Sequence, residues 1–221
     1  MTALLIPSIR LFPTWRPAGG VAPVGLRQIR PDDAAALRGF VRALSPASRR
    51  LRFHAALNEL PEATLQALTC VDQRSHVAFV LTVTEHGREL ILGEARYAVS
   101  GDGETAEFAI AVADAFRGLG LAERLLAALT GAARAAGVRW LVGEVLAGNA
   151  RMLAFMRRCG FAATTRGVEC GLVRVERSVD WSLPVAQAAG SWTGIARRRI
   201  RRLLHALLPV PREAGSVLQP F

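Results

Sequence analysis

The chain has 221 residues, is 51% hydrophobic and 21% charged, and so can bury a core rather than remain disordered. A net charge of +10 suits an anionic partner; all 28 cationic side chains are arginine, and five fall between Arg197 and Arg202. Cys70, Cys159 and Cys170 show neither CxxC nor His-rich spacing, and no apolar run approaches ~20 residues, so a disulfide framework, a zinc site and a membrane span are excluded and a cytoplasmic protein is expected.

Residues 1–24 hold Pro7, Pro13, Pro17, Pro23 and a Gly19-Gly20 pair and read as an extended leader without a signal-peptide core. The alternation in VGLRQIR predicts a strand over Val24–Arg30, and Pro31-Asp32-Asp33 starts a helix with AAALRGFVRAL behind it. Ser45-Pro46 opens a second helix, PASRRLRFHAAL, and Pro61 a third over Glu62–Leu68. Val77–Thr84 and Glu89–Val99 read as consecutive strands joined by a tight turn at His86-Gly87. Gly101-Asp102-Gly103 leads into a further strand, Ala106–Ala113.

An Arg/Gly-rich turn follows, Arg117-Gly118-Leu119-Gly120-Leu121-Ala122, and then Leu121, Leu125, Leu126 and Leu129 recur at helical spacing. Gly137 stops that helix, Trp140–Leu146 reads as a buried strand, and Asn149 begins a helix closed by Gly160-Phe161. Two weaker strands lie within 162–182. The expected organisation is one α/β domain over 25–183 with a mixed sheet. Residues 184–221 read as a linker and a basic amphipathic helix, with Ile200, Leu203, Leu204, Leu207 and Leu208 opposed by arginines. Such a helix packs on its own domain or a partner subunit, or lies on an anionic surface.

A glycine-rich turn between strand and helix lets backbone N–H groups face an anion with no Cβ in the way. Taken alone, the same glycines equally well serve close packing.

Three segments together resemble the GNAT superfamily of acyl-CoA-dependent N-acyltransferases: the turn Arg117–Ala122 as a Q/R-x-x-G-x-G/A loop, the strand WLVGEVL before Asn149, and the stretch from Asn149 to Gly160-Phe161. The phrase LSPASRRLRF is similar to the branch of bacterial protein lysine acetyltransferases, without their companion domains. The resemblance implies a mostly antiparallel sheet flanked by helices, with two strands splayed in a V for acetyl-CoA as co-substrate and no metal. It implies that backbone N–H groups of Phe116–Leu121 cradle the pyrophosphate, that Arg117, Gly118, Leu119, Gly120, Leu121 and Ala122 are cofactor-binding, and that Arg117 adds a charge-assisted bond. Ala111, Val112, Ala113 and Asn149 would then flank the pantetheine arm. Asn149 reads equally as a helix cap.

Acyl transfer to an amine needs a base and a donor for the developing negative charge. Glu107, a lone carboxylate in an apolar strand where desolvation would raise its pKa, is the candidate base, and Glu144 in the neighbouring strand is the runner-up. An edge-of-sheet Glu paired with an Arg is the alternative reading of Glu107. Many family members carry a Tyr seven residues after the Asn; that position is Met156, and Tyr97 is the only tyrosine. Cys159 has no base beside it in sequence and is not read as a nucleophile. The expected activity is acetyl transfer to a primary amine. A protein lysine is favoured by the resemblance, a small-molecule amine is the rival, and a CoA-binding regulatory module lies outside the enzyme class. With no lysine in the chain, side-chain autoacetylation is excluded. A nucleic-acid role rests on the tail alone.

Overall fold

The computed structural model describes residues 24–55, 58–85, 87–164 and 171–180. Most of the leader, the linker and the basic helix lie outside the described residues. The strands are β1 (Val24–Gln28), β2 (His76–Glu85), β3 (Arg88–Val99), β4 (Thr105–Val112), β5 (Trp140–Leu146), β6 (Ala162–Thr164) and β7 (Leu172–Ser178). The helices are α1 (Ala34–Ala43), α2 (Pro46–Phe53), α3 (Glu62–Thr69), α4 (Leu121–Ala135) and α5 (Ala150–Arg158). One seven-stranded sheet runs β1-β2-β3-β4-β5-β7-β6, antiparallel throughout except for the parallel pair β4–β5.

Helices cover both faces of the sheet. A Cβ built on Gly93 would meet Leu125 of α4 at 3.2 Å, whereas the next residue, Glu94, bonds Arg52 of α2. Successive strand residues point to opposite faces, so α4 and α2 lie on opposite sides. That sandwiching is why β2 opens with an apolar run, Val77 to Leu81, and why Val77 to Val83 are all buried, Thr82 included. On α4 the stripe Leu121, Leu125, Leu126 and Leu129 is fully buried, matching its helical spacing.

The second helix is shorter than the sequence predicts. Ser45 caps it by accepting from the Ser48 N–H at 3.2 Å, and Pro46 sets its first turn, but the chain leaves the helix after Phe53. His54 takes a left-handed φ of 54°, so the run into Ala55 does not continue it. Among the described residues no helix is long and apolar enough to cross a membrane.

Candidate active site

β4 and β5 pair only at Thr105–Trp140, Ala106–Leu141 and Glu107–Val142. Both strands continue past that point without pairing to each other, β4 to Val112 and β5 to Leu146. Phe108 stands at the fork, where its ring packs on Gly143 and lies 5.1 Å from the ring of Phe161, tilted by 47°. Two clefts follow from the parting. One, of about 380 Å³, reaches the start of α4; the other, of about 260 Å³, holds Glu107 and Glu144.

The first cleft ends on the glycine turn. Gly118 and Gly120 both have φ of 73°, a conformation that a side chain resists, and open space surrounds the position of a Cβ at either. No side chain caps α4, whose preceding residue is Gly120. The N–H groups of Gly118, Leu119 and Gly120 take no acceptor among the described residues, and those of Leu121, Ala122 and Glu123 are left over by helix geometry. With the helix dipole behind them, these donors suit a phosphate group.

The turn is strapped to α2. Asp114, just past β4, accepts from Ser48 Oγ at 2.6 Å and from the Ser45 N–H at 3.0 Å. Arg117 places Nη1 2.8 Å from Asp114 and donates through Nη2 to Ser48 Oγ at 2.8 Å. Partial burial raises the Asp114 pKa, but the bonds from Ser48 and Ser45 and the Arg117 charge outweigh it and hold the carboxyl below its ordinary range. Arg117 is therefore a strut of the turn as well as part of the cleft wall.

Of the residues expected at the donor, Ala111, Val112, Arg117 and Gly118 line the first cleft. So do Gly120, Leu121, Ala122 and Asn149, whereas Ala113 and Leu119 do not. Ala113 is instead buried and donates its N–H to Leu92 O at 2.9 Å. Asn149 caps α5, its Oδ1 accepting from the Met152 N–H at 3.1 Å, and lines both clefts. Capping and a place in the cleft wall coexist in one side chain.

Glu107 and Glu144 meet in the second cleft. Val142 is the register partner of Glu107 and Glu144 lies two residues on, so both carboxylates share a face. The desolvated setting expected for Glu107 is not found: its side chain is exposed, on the face of β4 opposite to the one where Ala106, Phe108 and Ile110 are buried. Nor is it held by an arginine; among the described residues it makes no ion pair or hydrogen bond.

Sequence reasoning missed a buried cluster beside this gap. Glu94 of β3 is 2% exposed and lies between Arg52 of α2, with Nη2 2.6 Å from its Oε1, and Arg96, with Nη2 2.6 Å from its Oε2. Burial raises the carboxyl pKa, but Arg96 and Arg52 outweigh it and bring it down to about 2. Arg96 also donates to Leu68 O at 3.1 Å, tying α3 into the cluster. Arg151 and Arg158 of α5 are further missed residues, both exposed on the wall of the first cleft. Their signal was available in the seven-residue spacing, which sets both on one helix face. Met156 is 1% exposed and contributes an apolar wall to the second cleft. Cys159 is buried, and that burial pushes its thiol up to about 11, far from a nucleophile's range.

A family model described as the acetyltransferase (GNAT) family matches residues 41–161. The chain belongs to the GNAT acetyltransferase family. It is 34% identical over 136 residues to an acetyltransferase of Pseudomonas aeruginosa, covering 62% of this chain and 73% of the relative. It is 32% identical over 108 residues to the L-methionine sulfoximine/L-methionine sulfone acetyltransferase of the same species, covering 47% of this chain and 63% of that one. The GNAT domain of S. lividans PAT superposes with a TM-score of 0.65 at 30% identity, over 71% of this chain and 90% of that domain. As a GNAT enzyme the protein is an acyltransferase, and its seven-stranded sheet is the family's mixed α/β fold.

Proposed function

We propose that this GNAT enzyme moves an acetyl group from acetyl-CoA directly to a primary amine, and that the amine is a protein lysine. The observation that carries this reading is the parting of β4 from β5 after three residue pairs, which joins an anion-accepting turn to a cleft holding two carboxylates. The uncapped α4 N-terminus takes the pyrophosphate, and the unpaired edge of β4 offers its backbone to the amide-bearing arm. Exposed Arg151 and Arg158 add positive charge along the same cleft.

In the second cleft Glu107 and Glu144 attract a protonated amine, and Glu107 takes its proton so that the free lone pair attacks the thioester carbonyl. Because Glu107 is exposed, a water molecule can carry that proton between them. An α-amino acid derivative is the second reading of the acceptor, favoured by likeness to the methionine sulfone acetyltransferase.

Release of the CoA thiol, followed across lysine-containing peptides and free amino acids including methionine sulfone, tests both readings. The expected result is release with the peptides, and a loss of about a hundredfold or more in Glu107→Gln with acetyl-CoA affinity unchanged. Full turnover by Glu107→Gln removes the assigned base. Release with methionine sulfone alone moves the acceptor to the second reading. Acetyl-CoA binding with no release from any amine makes the chain a regulatory CoA-binding module.

A further inference from the structure

Acyl transfer leaves negative charge on sulfur, and the wall nearest α5 offers no hydroxyl to meet it, since Met156 is buried there and apolar. Five residues line both clefts and so mark where they meet: Leu51, Arg52, Ile110, Asn149 and Met152. Arg52 is the only charged side chain among them.

Its guanidinium is fixed from behind. Nε and Nη2 donate to Glu94 Oε1 at 3.2 and 2.6 Å, while Nη1 has no hydrogen-bond partner among the described residues. The 11% of the side chain that remains exposed opens on the clefts. Two guanidinium groups share the single carboxylate of Glu94, so the cluster carries one uncompensated positive charge. Burying such a triad is a poor route to stability, because desolvation offsets the attraction. Glu107 and Glu144 line the second cleft with Arg52 but make no ion pair with it among the described residues, so its Nη1 and the cluster's surplus charge stay open to an anion at the cleft junction.

We propose that Arg52 holds the departing CoA thiolate, replacing proton donation with charge stabilisation. This rests on the acetyl-CoA reading above. The amine nitrogen bonds to the carbonyl carbon, the C–S bond breaks, and its electron pair goes to sulfur. Nitrogen sheds two protons: the first, taken from the ammonium before attack, passes from exposed Glu107 to solvent, and the second, lost as the amide forms, goes to Glu107 through water, while the thiolate stays paired with Arg52 until it dissociates. No oxidant or further reactant is needed. Glu94 is a positioning residue, aiming the guanidinium.

The test titrates the thiol of protein-bound CoA by its thiolate absorbance in the ultraviolet, subtracting the complex with desulfo-CoA to cancel the protein's own groups. Cys159, at about 11, and Tyr97, pushed up to about 12 by burial, ionise outside the working range. The expected result is a bound thiol titrating at least one pH unit, tenfold in proton affinity, below free CoA. Arg52→Met loses that shift while CoA remains bound, and Arg52→Lys keeps part of it. Arg52→Met/Glu94→Gln serves if the single variant, with its half-stranded carboxylate, fails to fold. A wild-type bound thiol titrating at or above free CoA overturns the proposal, as does an unchanged shift in either methionine variant. Failure of the wild type to bind CoA at all instead overturns the acetyl-CoA reading.

Discussion

The ring of Phe108 lies directly on Gly143: a Cβ at position 143 would stand 2.9 Å from its Cε1 and 3.1 Å from its Cζ. The contact sits where β4 and β5 cease to pair, one residue beyond Glu107 and Val142. Gly143→Ala therefore forces the ring off its seat and away from Phe161. Overpacking of this kind costs about 1–3 kcal/mol. A lowered Tm and a weaker acetyl-CoA affinity by calorimetry are expected, with Phe108→Leu restoring much of the loss in the double variant. Additive losses in the double variant would separate the two residues.

At the glycine turn the limit is conformation rather than space. Gly118→Ala and Gly120→Ala each place a side chain at φ of 73°, costing roughly 1–2 kcal/mol. The backbone escapes by turning its N–H groups out of the cleft, so acetyl-CoA affinity should fall about tenfold or more. Gly131→Ala, inside α4 with open space around the new Cβ, should instead raise stability by about 0.5–1 kcal/mol with affinity unchanged. Denaturant midpoints and calorimetry on the three variants check this together.

Arg151 and Arg158 line the first cleft without ion-pair partners among the described residues. Both are exposed, so each contributes modestly, on the order of 1 kcal/mol at most. Arg151→Ala/Arg158→Ala should weaken acetyl-CoA about tenfold and leave acetyl-pantetheine, which lacks the nucleotide phosphates, unchanged. The affinity of the double variant should also depend less on salt.

Acid should loosen the Arg52–Glu94–Arg96 cluster. The Glu94 carboxyl titrates at about 2 in the fold and at roughly 4.3 in an unfolded chain. Its contribution to stability is complete above the unfolded value and is lost as the pH falls through the folded one. Urea unfolding between pH 5 and 2 should therefore show wild type and Glu94→Gln converging toward the acid end. A constant gap between them over that range would show that Glu94 does not supply the difference.

The strands and α4 were legible because each announces itself locally: the apolar run of β2, and the Leu121, Leu125, Leu126 and Leu129 stripe. The glycine turn and Asn149 were legible through order and spacing. What could not be read depends on the third dimension. The composition of β4 says buried, yet only Ala106, Phe108 and Ile110 on one face are covered and Glu107 on the other is exposed; nothing within Ala106–Ala113 encodes which face is covered or that β5 departs after Glu107. Arg52 and Glu94 are 42 residues apart and meet only because α2 folds over β3. The end of α2 was missed for a local reason, the left-handed turn at His54.

A sheet parted in its middle has four edges rather than two. Beyond Glu107, β4 and β5 each turn toward the other a row of backbone groups with no partner among the described residues, inside the protein rather than at its rim. A bare edge ordinarily invites another chain to add a strand, and proteins guard against it with charge, bulges or brevity. Here the guard is shape: the two rows converge on the closed pairs at Thr105–Glu107, with Phe108 in the angle. The taper leaves no room for a strand of ordinary width at the narrow end. An opening that would be an aggregation hazard on the outside is thereby kept as a slot for a thinner guest.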